Sequence, residues 1–149
     1  MLRDKVRKYI EYELQYGDQR ELYHYNCAQA ILHGANDYYS INLDPKALKM
    51  IVPFGGGIQT ENTCGMLTGG IAVIGVLFAE DMPTTHHKLK EITRYWTKQF
   101  ESEFQDTNCS VIKGINLTNN EGCANLILKA ADILEKVVKK YSDELRVNS

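Results

Sequence analysis

In almost every long segment of this chain the apolar residues recur three or four positions apart. That spacing gathers them on one face of an α-helix, and no segment sustains the alternation of a half-buried strand. The sequence therefore predicts an all-α fold, a compact bundle of about five to seven helices. At 149 residues, a single domain covering 1–149 is expected. A chain of this length buries enough surface to fold without a disulfide or a metal.

Stop and start signals divide the chain. Leu2, Val6, Ile10 and Leu14 stand four apart over residues 2–16, and Gly17 ends that helix. Residues 18–25 read as a connector. Asn26 can cap a second helix carrying Ala28, Ile31, Leu32, Ala35 and Tyr38. Asp44 and Pro45 start a third, running to about residue 53. Gly55, Gly56 and Gly57 lack the Gly-Lys-Ser/Thr of a phosphate loop and read as a flexible loop. An apolar helix runs from Gly65 to Phe78. Thr84 or Thr85 can cap a long amphipathic helix bearing Leu89, Ile92, Trp96, Phe100 and Phe104. A short helical turn from Cys109 to Lys113 stops at Gly114. Asn119 and Asn120 can cap the last helix, on which Cys123, Ile127, Ala130, Leu134, Val137, Tyr141 and Leu145 recur.

Composition excludes some functions. The net charge is −2 with 24% charged residues, so the basic footprint of a nucleic-acid partner is missing. The first residues are charged and lack the apolar core of a signal peptide. The most apolar run, Gly65 to Ala79, spans 15 residues, fewer than the roughly 20 needed to cross a bilayer. It reads as a buried helix, with no membrane insertion, and the expected compartment is the cytoplasm. Structural disulfides are rare there, so functional cysteines point to redox chemistry or metal.

Four cysteines, Cys27, Cys64, Cys109 and Cys123, lie far apart with no Cys-x-x-Cys spacing. Buried cysteine is commonly a small hydrophobe, and spacing alone supports no more. Position adds weight. Asn26 precedes Cys27, Asn62-Thr63 precedes Cys64, Asp106-Thr107-Asn108 precedes Cys109, and Asn119-Asn120 comes shortly before Cys123. Each cysteine is thus expected in the first turn of a helix. There, unpaired N–H groups and the helix dipole favour a thiolate. Four such starts aimed at one centre would stabilise a reactive thiolate pair or an anionic cysteine-ligated cluster. Cys64 is the expected attacker, with a pKa below the free value, because Gly65 beside it adds no bulk. Gly65 and Gly69 share a helix face. They admit either a bound group or the close approach of another helix.

Other side chains are weaker candidates. His24, three residues before Cys27, could serve as base or ligand. His33 could add a ligand, whereas His86 and His87 read as surface residues whose side chains diverge around the helix. Glu61 could donate a proton to a leaving thiolate, or simply lie on the loop surface. The nine tyrosines read as core and rim.

The motifs Tyr25-Asn26-Cys27-Ala28-Gln29-Ala30, Phe54-Gly55-Gly56-Gly57 and Cys64-Gly65-Met66-Leu67-Thr68-Gly69, followed by Cys109 and Cys123, resemble one family across nearly the whole chain. It is the redox-active family named for its signature, C_GCAxxG_C_C. Met66 stands where that signature has alanine. The resemblance implies that the four cysteines act together in a small protein often encoded near transporter genes, with an unidentified redox partner. The function expected is thiol–disulfide exchange or electron transfer through Cys27, Cys64, Cys109 and Cys123. The alternative is a metal ion or iron–sulfur cluster bound by the same four thiolates.

Overall fold

The helix predicted over 2–16 divides at Ile10. α1 (Leu2–Ile10) is α-helical and buries Leu2 and Val6. Residues Tyr12–Tyr23 tighten into a 3₁₀ segment that buries none of its side chains, and Gly17 breaks its geometry at φ 54°. Leu14 therefore leaves the apolar face and is 60% exposed. These coordinates come from a computed structural model that describes residues 1–118 and 122–147.

α2 (Cys27–Tyr38) begins at Asn26, whose side chain accepts the Gln29 N–H, while Gln29 returns a bond to the Asn26 backbone. This reciprocal cap is what the sequence predicts. α3 (Pro45–Lys49) starts on Asp44 with Pro45 in the first turn. It is shorter than expected and is followed by a 3₁₀ turn, Val52–Phe54. α4 (Gly65–Phe78) is the apolar helix. α5 (His87–Phe104) starts later than expected, from His86 in a left-handed conformation. Thr84 does not cap it; its hydroxyl accepts the His86 N–H in the preceding turn. α6 (Cys109–Asn116) runs through Gly114 rather than stopping there. Asn116 holds its end by donating to the carbonyls of Ile112 and Phe104. α7 (Ala124–Val147) closes the chain. The expected caps Asn119 and Asn120 lie outside the described residues.

The architecture is all-α and compact, with seven α-helices among the described residues. Among the described residues there is no strand, only an isolated antiparallel bridge between Thr63 and Asn108. α4 packs against α2, α5 and α7, and α1 packs against α2 and α7. Trp96, Phe100 and Phe104 of α5 meet Val73 and Ile74 of α4 and Leu134 of α7 in a core that excludes water. Trp96 donates its indole N–H to the Leu67 carbonyl at 3.1 Å, which satisfies its one polar group. Gly69 faces the backbone of Ala28, so it serves the close approach of α2 to α4. Among the described residues, no helix is long and apolar enough to cross a membrane.

The glycine loop is not a loose connector. Gly56, Gly57, Ile58 and Gln59 have φ values of 59°, 63°, 62° and 59°, a run in the left-handed region. A Cβ on Gly57 would meet the Asn62 backbone nitrogen at 2.6 Å and the Cys109 Cβ at 2.7 Å. For a β-branched residue such as Ile58 this conformation is a true outlier. Such strain costs about 1–3 kcal/mol and persists only where the surroundings hold it. Here the Gln59 side chain bonds the Gly55 carbonyl, and the Thr60 hydroxyl bonds the Gly57 carbonyl.

Candidate functional site

Each cysteine stands at the start of a helix. Cys27 is the first residue of α2 and Cys109 the first of α6, behind the side-chain caps Asn26 and Asn108. Cys64 is itself the cap position of α4. Cys123 precedes α7, and its carbonyl accepts the Ile127 N–H at 2.9 Å.

Two backbone devices gather these starts. The chain before α4 and the chain before α6 pair antiparallel: the Cys64 N–H donates to Thr107, and the Cys109 N–H donates to Asn62. This sets Cys64 and Cys109 diagonally across the Thr63–Asn108 bridge, at the edge of one cavity. The second device is Asn26. Besides capping α2, it donates its amide to the Val52 carbonyl at 2.9 Å, and its side chain fills the space where a Cβ on Gly55 would sit. The start of α2 is thereby locked to the loop leading into α4. A Cβ on Gly65 would stand 2.5 Å from the Cys27 Sγ, so that sulfur rests directly on the first turn of α4.

All four cysteines line one cavity of about 450 Å³. All four are free thiols, Cys64 and Cys109 buried, Cys27 and Cys123 partly exposed. The expectation that the sulfurs converge on one region holds. No two of them stand at disulfide-bridging distance. No disulfide is formed, and among the described residues no group of three or more His, Cys, Asp or Glu side chains is arranged to hold a metal ion.

The electrostatics overturn the choice of Cys64 as the low-pKa attacker. The N–H groups of Met66 and Leu67 face its sulfur and do favour the thiolate, as a helix start should. Burial outweighs them, and charge on Cys27 and Cys109 opposes ionisation further, so the Cys64 thiol is pushed up to about 12. Burial also raises Cys109 and Cys123, while the Lys113 ammonium pulls both back. Charge on Cys27 opposes ionisation of each of the other three.

Four further ionisable side chains also reach the cavity: Glu13, His24, Tyr25 and Lys113. The Glu13 carboxylate lies 3.2 Å from His24 Nδ1. With Glu13 ionised, Nδ1 carries the proton and donates, which leaves Nε2 as the base of the ring. Glu61 does not line the cavity; it is 66% exposed and lies 3.8 Å from Lys113. His33 stands apart among tyrosines, and burial lowers its pKa. Met66, in place of the signature alanine, is buried and forms part of the cavity wall. Sequence reasoning missed Glu13, which lies far from every cysteine in the chain, and Lys113, although its place four residues after Cys109 on one helix was a signal that could have found it.

Residues 25–137 match the sequence family described as "Putative redox-active protein (C_GCAxxG_C_C)". No curated protein and no solved structure matches the chain.

Proposed function

The chain belongs to the C_GCAxxG_C_C family of redox-active proteins, and from that premise we propose that it exchanges thiols with disulfides, using Cys27 as the attacking sulfur. The observation that carries this reading is the position of Cys27. It is partly exposed, its sulfur rests on the first turn of α4, and the other three cysteines all sense its charge.

In the first step the Cys27 thiolate attacks one sulfur of a substrate disulfide. A mixed disulfide forms, the substrate S–S bond breaks, and one substrate thiolate leaves. His24, which lines the same cavity, is the candidate base to take the Cys27 proton and return it to that leaving thiolate. In the second step Cys123, the other partly exposed thiol, attacks the Cys27 sulfur. The second substrate thiol leaves, and a Cys27–Cys123 disulfide holds the two electrons' worth of oxidation. Lys113 eases ionisation of Cys123. The buried thiols Cys64 and Cys109, carried on the two chain segments that the backbone bonds of Asn62 and Thr107 pair, form the inner dithiol that can reduce it in turn once the two close together. Each disulfide requires the sulfurs to close together, because all four are free in this state.

Binding a metal ion or iron–sulfur cluster instead would require several of these thiols to ionise together. Charge on Cys27 works against that unless a cation compensates. The test uses anaerobically reduced, metal-free full-length chain and a small aromatic disulfide. Reduction of the probe is expected, with a trapped mixed disulfide on Cys27 in Cys123→Ser and loss of activity in Cys27→Ser. Unchanged turnover in Cys27→Ser would overturn the assignment. Tight uptake of iron or zinc, with no exchange activity in the metal-free protein, would favour the ligand reading.

A further inference from the structure

Five of the chain's nine tyrosines fall within residues 9–25, and the thiol chemistry above uses none of them. They form a continuous file. Tyr25 lines the sulfur cavity. Its ring centroid is 5.2 Å from Tyr12, Tyr12 is 5.6 Å from Tyr16, and Tyr16 stacks on Tyr23 at 3.7 Å with the planes 15° apart. The Tyr12 and Tyr16 hydroxyls share a hydrogen bond of 3.1 Å. Tyr9 branches from Tyr25 at 5.1 Å and donates its hydroxyl to Asp37 at 2.7 Å.

Packing does not account for this file. The segment Tyr12–Tyr23 buries none of its residues, and Tyr12 and Tyr23 are 37% and 41% exposed. The rings that fill the core lie elsewhere in the chain: Trp96, Phe100, Phe104 and Tyr141. Every aromatic residue within 9–25 other than His24 is a tyrosine, whereas all four phenylalanines lie elsewhere. A phenol differs from a phenyl ring in that it can give up one electron together with one proton.

We propose that Tyr25, Tyr12, Tyr16 and Tyr23 conduct single oxidising equivalents from the cysteine cavity to the protein surface. The chemistry begins when a carbon-centred radical takes the hydrogen atom of the Cys27 thiol, leaving a sulfur radical. That sulfur takes one electron and one proton from the Tyr25 phenol, so Cys27 is again a thiol and Tyr25 a neutral tyrosyl radical. The same transfer of one electron and one proton repeats from Tyr12 to Tyr25, from Tyr16 to Tyr12 and from Tyr23 to Tyr16. At the surface an enediol reductant such as ascorbate gives Tyr23 its hydrogen atom. The net result is one radical quenched and one enediol oxidised by a single electron. The file would keep a sulfur radical from proceeding to irreversible oxidation. The inference rests on Cys27 being the reactive sulfur, but it does not require a disulfide cycle.

The test is photolysis of the full-length chain carrying Cys64→Ser, Cys109→Ser and Cys123→Ser, with Cys27 nitrosated. Light breaks the S–N bond homolytically and leaves the sulfur radical. A tyrosyl signal in electron paramagnetic resonance is expected, and ascorbate should quench it. Tyr25→Phe should lose most of the signal. Tyr16→Phe should keep a radical on Tyr12 or Tyr25 that ascorbate quenches more slowly. Tyr141→Phe should change nothing. The wild-type chain, nitrosated at all four thiols, gives the same reading if the triple variant does not fold. An undiminished signal in Tyr25→Phe, a radical on Trp96, or no protein radical beyond the sulfur would overturn the proposal. Because nitrosation creates the radical without any disulfide substrate, failure here is separate from failure of the exchange reaction.

Discussion

The sulfur of Cys27 occupies the space that a side chain on residue 65 would need: a Cβ built on Gly65 stands 2.5 Å from it and 3.0 Å from the Phe54 carbonyl oxygen. The glycine at the head of α4 is therefore what allows two helix starts to bring their cysteines together. Its role is steric, since α4 holds it in ordinary helical geometry.

Gly65→Ala should push the Cys27 sulfur out of place. Overpacking of this kind typically costs about 1–3 kcal/mol, and the alkylation rate of Cys27 should change with it. Gly75→Ala is the matched control. Nothing lies within 4 Å of a Cβ there, and it sits inside the same helix, so it should stabilise by about 0.5–1 kcal/mol. Urea unfolding of the two variants, followed by timed alkylation, checks both signs. Equal stability of the two would contradict the close contact.

Much of this arrangement was legible in the sequence, and the reason is local chemistry. Asn26, Asp44 and Asn108 are short polar side chains that accept N–H groups two or three residues on, and such caps act within a single turn. The helix starts at Cys27 and Cys109 could therefore be read from their neighbours. What could not be read depends on distance in space. Burial of Cys64 reverses the effect of its helix start, and nothing near residue 64 in the sequence reports that burial. The left-handed run through Ile58 and Gln59 contradicts the local preference of both residues, because surrounding contacts impose it. The 3₁₀ segment Tyr12–Tyr23 departs from a continuing apolar pattern at Leu14, where Gly17 turns the chain away from the core.

Asn26 should prove worth more than an ordinary cap. Asn26→Ala removes the bond to the Gln29 N–H and the bond to the Val52 carbonyl together. A cap alone is worth about 1 kcal/mol, and a further net hydrogen bond about 1 kcal/mol more. Asn26→Asp keeps the acceptor for Gln29 but has no N–H for Val52. It should lie between wild type and Asn26→Ala in thermal stability. A result in which Asn26→Asp matches wild type would remove the Val52 bond from the account.

Alkaline pH should destabilise the protein through Cys64. Its thiol has an ordinary value of 9.0 and is pushed up to about 12 by burial in the folded state. Below pH 9 the thiol is protonated whether folded or unfolded, so its contribution is fully present. Between the two values the unfolded chain releases the proton and the folded chain does not, so stability falls as pH rises. At about 1.4 kcal/mol per unit, the loss approaches about 4 kcal/mol near the upper value. Cys64→Ala should flatten this limb of the stability profile measured by chemical denaturation between pH 8 and about 11. An unchanged slope in Cys64→Ala would place the titrating group elsewhere.

Lys113 should set how readily the outer resolving thiol ionises. Its ammonium lowers the pKa of both Cys109 and Cys123 against the upward pressure of burial. The lysine is 41% exposed and shared with Glu61 at 3.8 Å, so its field is partly screened by water and by that carboxylate. Lys113→Gln should raise the pH at which Cys123 alkylates and slow its reaction at neutral pH by about two- to fivefold, the size of an exposed charge pair. Lys113→Arg keeps the positive charge and should restore most of the rate. Glu61→Gln removes the competing carboxylate and should shift Cys123 the opposite way. Raising the salt concentration should shrink all three effects together, since charges at the rim of a cavity are screened over a few ångströms to about 10 Å. Mass spectrometry of Cys123 peptides after timed alkylation reads the rates directly. If Lys113→Gln and Lys113→Arg slow the reaction equally, the lysine acts by packing, and its charge is not what prepares Cys123.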